Sequence, residues 1–169
     1  MKHYRIVVGL DLTEYSDIVL EHALDQAARH DRPELHVVFV RERAHKKRAP
    51  EELHQHLAAV VYPALQTWNR AGTWRARLHV RTGKVDHEIS ALAQDLLADL
   101  VVVGQFGLHT PRHAAATTSA RVLAGAPCPT LVVGMPRAHQ ASPICGACAA
   151  ARDDSFGETW FCTDHVARA

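Results

Sequence analysis

Four side chains near the C-terminus have the spacing of a metal site. Cys145 and Cys148 form a C-x2-C pair, and after thirteen residues Cys162 and His165 repeat the same gap. A two-residue gap lets both side chains of a tight turn reach one ion, and Gly146 suits such a turn. Three thiolates and an imidazole complete a tetrahedral zinc shell with no open position, so the zinc expected here is structural. Asp164 is an alternative to His165, although imidazole is the commoner partner of thiolate. Two other readings stay open, a solvated tail with free thiols and a redox dithiol. A redox pair usually opens a helix at the end of a strand, and nothing before Cys145 reads as one.

A second group lies far upstream. Asp11 directly follows the apolar run "RIVVGL" (5–10), "GQFG" (104–107) follows "LVVVG", and "ATTSAR" (116–121) opens a helical stretch. Glycines let backbone amides approach a phosphate closely, and a hydroxyl-lined helix N-terminus suits an anion. By spacing alone, a phosphate cradle and plain turn glycines explain these residues equally well.

The elements that would hold these groups can be read from periodicity. Residues 5–10, 35–40 ("LHVVFV"), 100–104 and 130–134 are short β-branched runs, as expected of strands buried on both faces. "RARLHVR" (75–81) alternates, which predicts a half-covered strand near a sheet edge. Leu20, Ala23, Leu24, Ala27 and Ala28 mark a first helix, with Thr13 or Ser16 as its cap. A longer helix runs from Glu51 to Trp68, where Pro63 should kink or divide it and Gly72 should end the segment. Ile89, Leu92, Ala93 and Leu96 mark a third, and a short fourth surrounds residues 121–123. Strand and helix alternate throughout, which predicts an α/β fold with a doubly wound, mostly parallel sheet. The periodicity stops after Pro136, dividing the chain into a domain at 1–136 and a zinc-stapled appendage at 137–169. About thirty residues bury too little surface to fold alone, and a metal answers that deficit. Phe156, Trp160 and Phe161 would form a small apolar patch there.

Composition narrows the function. Of 169 residues, 19 are basic and 18 acidic, a balance that gives no reason to expect a nucleic-acid partner. No segment approaches the length of a membrane span, and the N-terminus has no signal-peptide pattern, so a cytoplasmic protein is expected. Among the thirteen histidines, Pro111 separates His109 from His113, and His54 and His56 face different directions on one helix; these read as exposed polar side chains. Cys128 reads as buried packing.

"IVVGLD", "HVVFV", Gly83, "DLVVVGQFG" and "ARVLAGAPCPTLVVG" resemble, in order and spacing, the universal stress protein (UspA) domain over residues 2–134. The resemblance implies five parallel strands in the order 3-2-1-4-5, so that Asp11 and Gly104 face one crevice. It also implies a homodimer, often formed through the last strand between Thr130 and Gly134. Nucleotide-binding members carry G-x2-G-x9-G-[ST]. Gly104 and Gly107 match the first half, but Thr117 and Thr118 stand where the family has Gly and a hydroxyl, and a one-residue shift puts Ala116 at that Gly. The third glycine is missing in either alignment, and Pro111 removes one amide donor from the loop. The implied ligand is ATP or AMP with Mg2+. Asp11, Leu12 and Thr13 would lie near ribose or metal, Phe39 and Val40 near adenine, and Gly104, Gln105, Gly107, Thr117, Thr118 and Ser119 near the phosphates. Catalysis beyond slow ATP hydrolysis is not expected, because no base and nucleophile lie together. The competing reading is a dimeric interaction module that uses its zinc tail and takes no nucleotide.

Overall fold

The computed structural model describes residues 3–13, 15–42, 49–69, 72–105 and 117–134, with the single positions 147, 150, 154 and 163. The chain divides into two compact units, Met1–Met135 and Pro136–Ala169. The first contains β1 (Tyr4–Leu10), α1 (Ser16–Ala27), β2 (Pro33–Arg41), α2 (Pro50–Trp68), β3 (Arg75–Thr82), α3 (Val85–Asp95), β4 (Leu100–Gly104), α4 (Thr118–Gly125) and β5 (Thr130–Val133). All four strand pairings are parallel, and the sheet order is β3-β2-β1-β4-β5. The doubly wound α/β reading of the sequence therefore holds, including the strand order.

Residues alternate between two cores, one on each face of the sheet. Ile6, Val8 and Leu10 of β1 pack with Leu20 and Leu24 of α1 and with Leu57 and Val61 of α2. Val7 of β1, Val38 of β2 and Val101 and Val103 of β4 pack with Ile89 and Leu92 of α3 and Val122 of α4. Burial of each such side chain stabilises the fold by about 1.5–3 kcal/mol. At Gly9 a Cβ would stand 2.8 Å from Ile89 Cδ1, so the glycine is what lets α3 press onto β1.

Local chemistry sets the boundaries, and in two places differs from the sequence expectation. α2 is not divided at Pro63. Pro63 lies on the exposed face, where water can satisfy the carbonyl its missing N–H leaves behind, and Thr67 Oγ1 donates to the Pro63 carbonyl at 3.1 Å. Asn69 then closes the turn, its Oδ1 accepting from Trp74 N at 3.2 Å, and Gly72 adopts φ +67°. Neither Thr13 nor Ser16 caps α1; Tyr15 occupies the cap position without a side-chain bond. Beyond α3, Leu97 at φ 50° takes the left-handed position, with Leu97 N donating to Gln94 O and Ala98 N to Ala93 O, a Schellman closure made without glycine.

Candidate functional site

Order reverses between β1 and β4. From β1 the chain crosses through α1 on one face, and from β4 it crosses through α4 on the other. A doubly wound sheet opens a crevice beyond the strand ends at such a point. Gly9 pairs with Val103, so Asp11 leaves β1 level with the end of β4.

At the β1 end the hydroxyls of the next turn converge on Asp11. Its Oδ1 accepts from Thr13 Oγ1 at 2.7 Å, Thr13 N at 3.1 Å and Ser16 Oγ at 3.2 Å. Both hydroxyls give their protons to the carboxylate, and Thr13 Oγ1 accepts from Tyr15 N at 3.4 Å rather than from an N–H within the first turn of α1. Leu12, between them, has φ 57°, a region that costs a leucine about 1–2 kcal/mol. Its side chain packs against the core on the α1 face, which offsets that cost.

The other wall is the start of α4. Thr117 is a true N-cap, its Oγ1 accepting from Ala120 N at 3.1 Å. Ser119, 6% exposed, donates to the Gln105 carbonyl at 2.8 Å, and Gln105 N donates to Val133 O at 2.8 Å. Thr117 Oγ1 and Ser119 Oγ are 2.9 Å apart. Ser119 has spent its only proton on Gln105, so Thr117 must be the donor of that pair. Protons thus run in one direction, Thr117 to Ser119 to the β4 terminus. Thr118 differs: its Oγ1 accepts from Arg121 Nη2 at 3.3 Å, and its own proton meets no acceptor among the described residues. Arg121 also reaches Asp86 of α3 at 3.4 Å.

The predicted adenine contacts fall on opposite faces of β2. Phe39 packs towards the α1–α2 core, and Val40, 8% exposed, belongs to the α3–α4 core. The structure therefore brings together Asp11, Leu12 and Thr13, and separately Gly104, Gln105, Thr117, Thr118 and Ser119. Gly107, Pro111, His109, His113 and Ala116 lie outside the described residues, as do Cys145, Cys148, Cys162 and His165 of the expected zinc site. Among the described residues no cluster of three or more His, Cys, Asp or Glu could hold a metal ion. His54 and His56 are exposed. Cys128 packs, half-buried, against the α3–α4 core, and burial pushes its thiol up, with Asp99 adding to the effect.

A polar cluster that sequence reading missed lies on the α3 side of the sheet. Glu34, 8% exposed, lies 3.5 Å from Arg5 Nε, 3.4 Å from Arg77 Nε and 3.6 Å from His36 Nε2. Arg5 is fixed in turn, its Nη1 donating to Leu96 O at 3.0 Å and its backbone N to Asp99 Oδ2 at 2.9 Å. His36, 2% exposed, has Nδ1 3.0 Å from His79 Nε2. Next along β3, Arg81 pairs with Glu88 and Asp95 of α3 at 3.6 and 3.3 Å. Burial pushes both imidazoles down. His79 falls to about 4, with His36, Arg81, Arg77 and His54 adding to the burial effect; for His36, Glu34 opposes the fall and Arg77 and Arg5 reinforce it. The available signal was alternation: Glu34 and His36 share one face of β2, and Arg77, His79 and Arg81 share one face of β3.

Residues 3–134 match the model described as the universal stress protein family. Among solved structures, the chain is similar to the universal stress protein UspA from Lactobacillus plantarum, at TM-score 0.56 and 21% identity over 79% of this chain and 99% of that one. A universal stress protein from Archaeoglobus fulgidus in complex with dAMP aligns at TM-score 0.56 and 20% identity, covering 78% and 98%. A universal stress protein in complex with cAMP aligns at TM-score 0.60 and 23% identity, covering 80% and 100%. At such identities the likeness establishes the fold. No curated protein matches the chain.

Proposed function

Because the chain belongs to the universal stress protein family, we propose that it is a stress-response protein that binds an adenine nucleotide, ATP or AMP with Mg2+, beyond β1 and β4. The carrying observation is the juxtaposition of Asp11 with the hydroxyl-lined start of α4 where the strand order reverses. The adenine nucleotides bound by two proteins of the same fold support it. In this reading Asp11 serves ribose or metal, Leu12 and Thr13 shape the corner, and the end of β2 at Phe39 and Val40 meets adenine through its backbone, since the two side chains enter opposite cores. Gly104, Gln105, Gly107, Thr117, Thr118 and Ser119 line the phosphate path. Thr118 is its principal hydroxyl donor, since Thr117 and Ser119 give their protons within the protein. Hydrolysis is slow at most. Equilibrium dialysis with ATP and AMP tests the reading: saturable binding below millimolar ligand supports it, and none at millimolar ligand removes it.

A second reading, a nucleotide-free dimeric interaction module, is favoured by the same inward-facing hydroxyls and by the missing third glycine, where Thr117 or, with a one-residue shift, Ala116 stands. Both readings take the first domain as 1–136 and place the protein in the cytoplasm. Both also pair two copies through the edge strand β5, and fasten residues 137–169 with one structural zinc on Cys145, Cys148, Cys162 and His165. Zinc held by thiolates supplies on the order of 10 kcal/mol of folding free energy to such a segment. Elemental analysis with native mass spectrometry reads zinc stoichiometry, copurified nucleotide and subunit count together. A zinc-free chain would remove the metal reading, and a nucleotide-free dimer would favour the second.

A further inference from the structure

We propose that His36 and His79 form an acid-sensitive latch that holds edge strand β3 onto β2 while both rings are neutral and releases it when they take up protons. Among the described strands β3 pairs with β2 alone, so its place in the sheet depends on that one ladder and the side chains that cross it, beside its packing on α2 and the Arg81 pairs to α3. In register His36 faces Arg77 and His79 faces Val38, which makes the imidazole contact a diagonal one between the strands.

Glu34 decides the tautomers. Its Oε1 stands 3.6 Å from His36 Nε2, a buried nitrogen that makes no hydrogen bond among the described residues. A bare lone pair there would face a carboxylate, so the proton sits on Nε2. His36 Nδ1 is then the acceptor, and His79 donates from Nε2. The first added proton goes to His36, whose charge Glu34 favours; His79 then holds its proton on Nδ1 and accepts from His36 Nδ1, so the bond survives with its direction reversed. A second must take the Nε2 lone pair of His79, and the bond is lost.

The groups around the pair oppose charging. Arg5 of β1 and Arg77 of β3 share the single carboxylate of Glu34 on β2, and Arg81 of β3 is matched by Glu88 and Asp95 of α3. His54 of α2 adds its field. The existing positive charges thus have acceptors, and among the described residues a new one on either ring has none beyond Glu34. Among the described residues there is no third ligand that would make the pair a metal clamp.

The pH dependence has a definite sign. In the unfolded chain His79 takes up a proton near its ordinary value of 6.5, whereas in the folded chain it does so only near 4. Stability is therefore untouched above about pH 7 and lost progressively as pH falls from about 6.5 towards 4. For a half-buried ring screened by solvent, His79 alone should raise the unfolding equilibrium constant about tenfold between about pH 7.5 and 5.

The test is urea unfolding of the full chain and of His79→Gln at both pH values. Glutamine keeps an N–H for His36 and cannot titrate. A wild-type constant that rises about tenfold more than the variant's supports the latch, and parallel curves overturn it. Should the variant not fold, the wild-type imidazole resonances decide: titration of His79 below about pH 5 supports the latch, and titration at 6 or above overturns it. Amide exchange, corrected for intrinsic rate, reads the strand itself. Loss of protection in β3 before β1 and β4 supports the latch, and uniform loss overturns it. Zinc added at neutral pH should leave both imidazole resonances unmoved; a shared shift would show a metal clamp instead.

Discussion

The start of α4 and the charged face of β2 and β3 satisfy their polar groups in opposite ways. At α4, neutral hydroxyls pass protons inward along a short line that ends on a strand carbonyl. On β2, a buried carboxylate collects two guanidiniums and faces an imidazole. A neutral line can lose a member cheaply, since each bond contributes about 1 kcal/mol. A charged cluster cannot, because removing its one anion leaves Arg5 and Arg77 without their carboxylate.

The largest effect should therefore come from Glu34→Ala. It leaves Arg5 without its carboxylate while Arg77, largely exposed, turns to water, and urea titration should show a loss of about 2 kcal/mol. A loss below about 1 kcal/mol would mean that water already screens the cluster. At the crevice, Asp11→Asn keeps an oxygen for Thr13 and Ser16 while removing the charge. We expect stability to change little and ATP affinity in Mg2+ to fall about tenfold by calorimetry, as fits loss of a charge-assisted contact. Ser119→Ala separates the two readings of α4 most directly. It should cost about 1 kcal/mol of stability and leave ATP affinity within about twofold, since Thr117 regains a proton to offer. A tenfold fall would show that Ser119 itself faces the phosphates. The smallest change runs the other way. Leu97→Gly relieves a left-handed leucine that is 72% exposed, and should raise stability by about 0.5 kcal/mol in thermal melts.

Much of the fold could be read because buried parallel strands leave runs such as "LHVVFV" that little else produces, and because β3 alternates as an edge strand does. The passage of α2 through Pro63 could not, because whether a proline divides a helix depends on which face it occupies. The start of α4 could be read in "ATTSAR", where hydroxyl residues open the helix and Thr117 caps it. Asp11 and Gly104 were legible by their positions after strands. The histidine pair was not, because residues 43 apart in sequence meet only through the register of β2 on β3.

Leu12 ties the crevice to the helix behind it. Its left-handed backbone is maintained by the three bonds that bend the chain back onto Asp11. A cation or sugar hydroxyl that claimed that carboxylate would loosen those bonds and let the corner unwind towards an ordinary conformation. Occupancy would then be felt as a shift in the first turn of α1, giving the molecule a mechanical report of whether it is loaded.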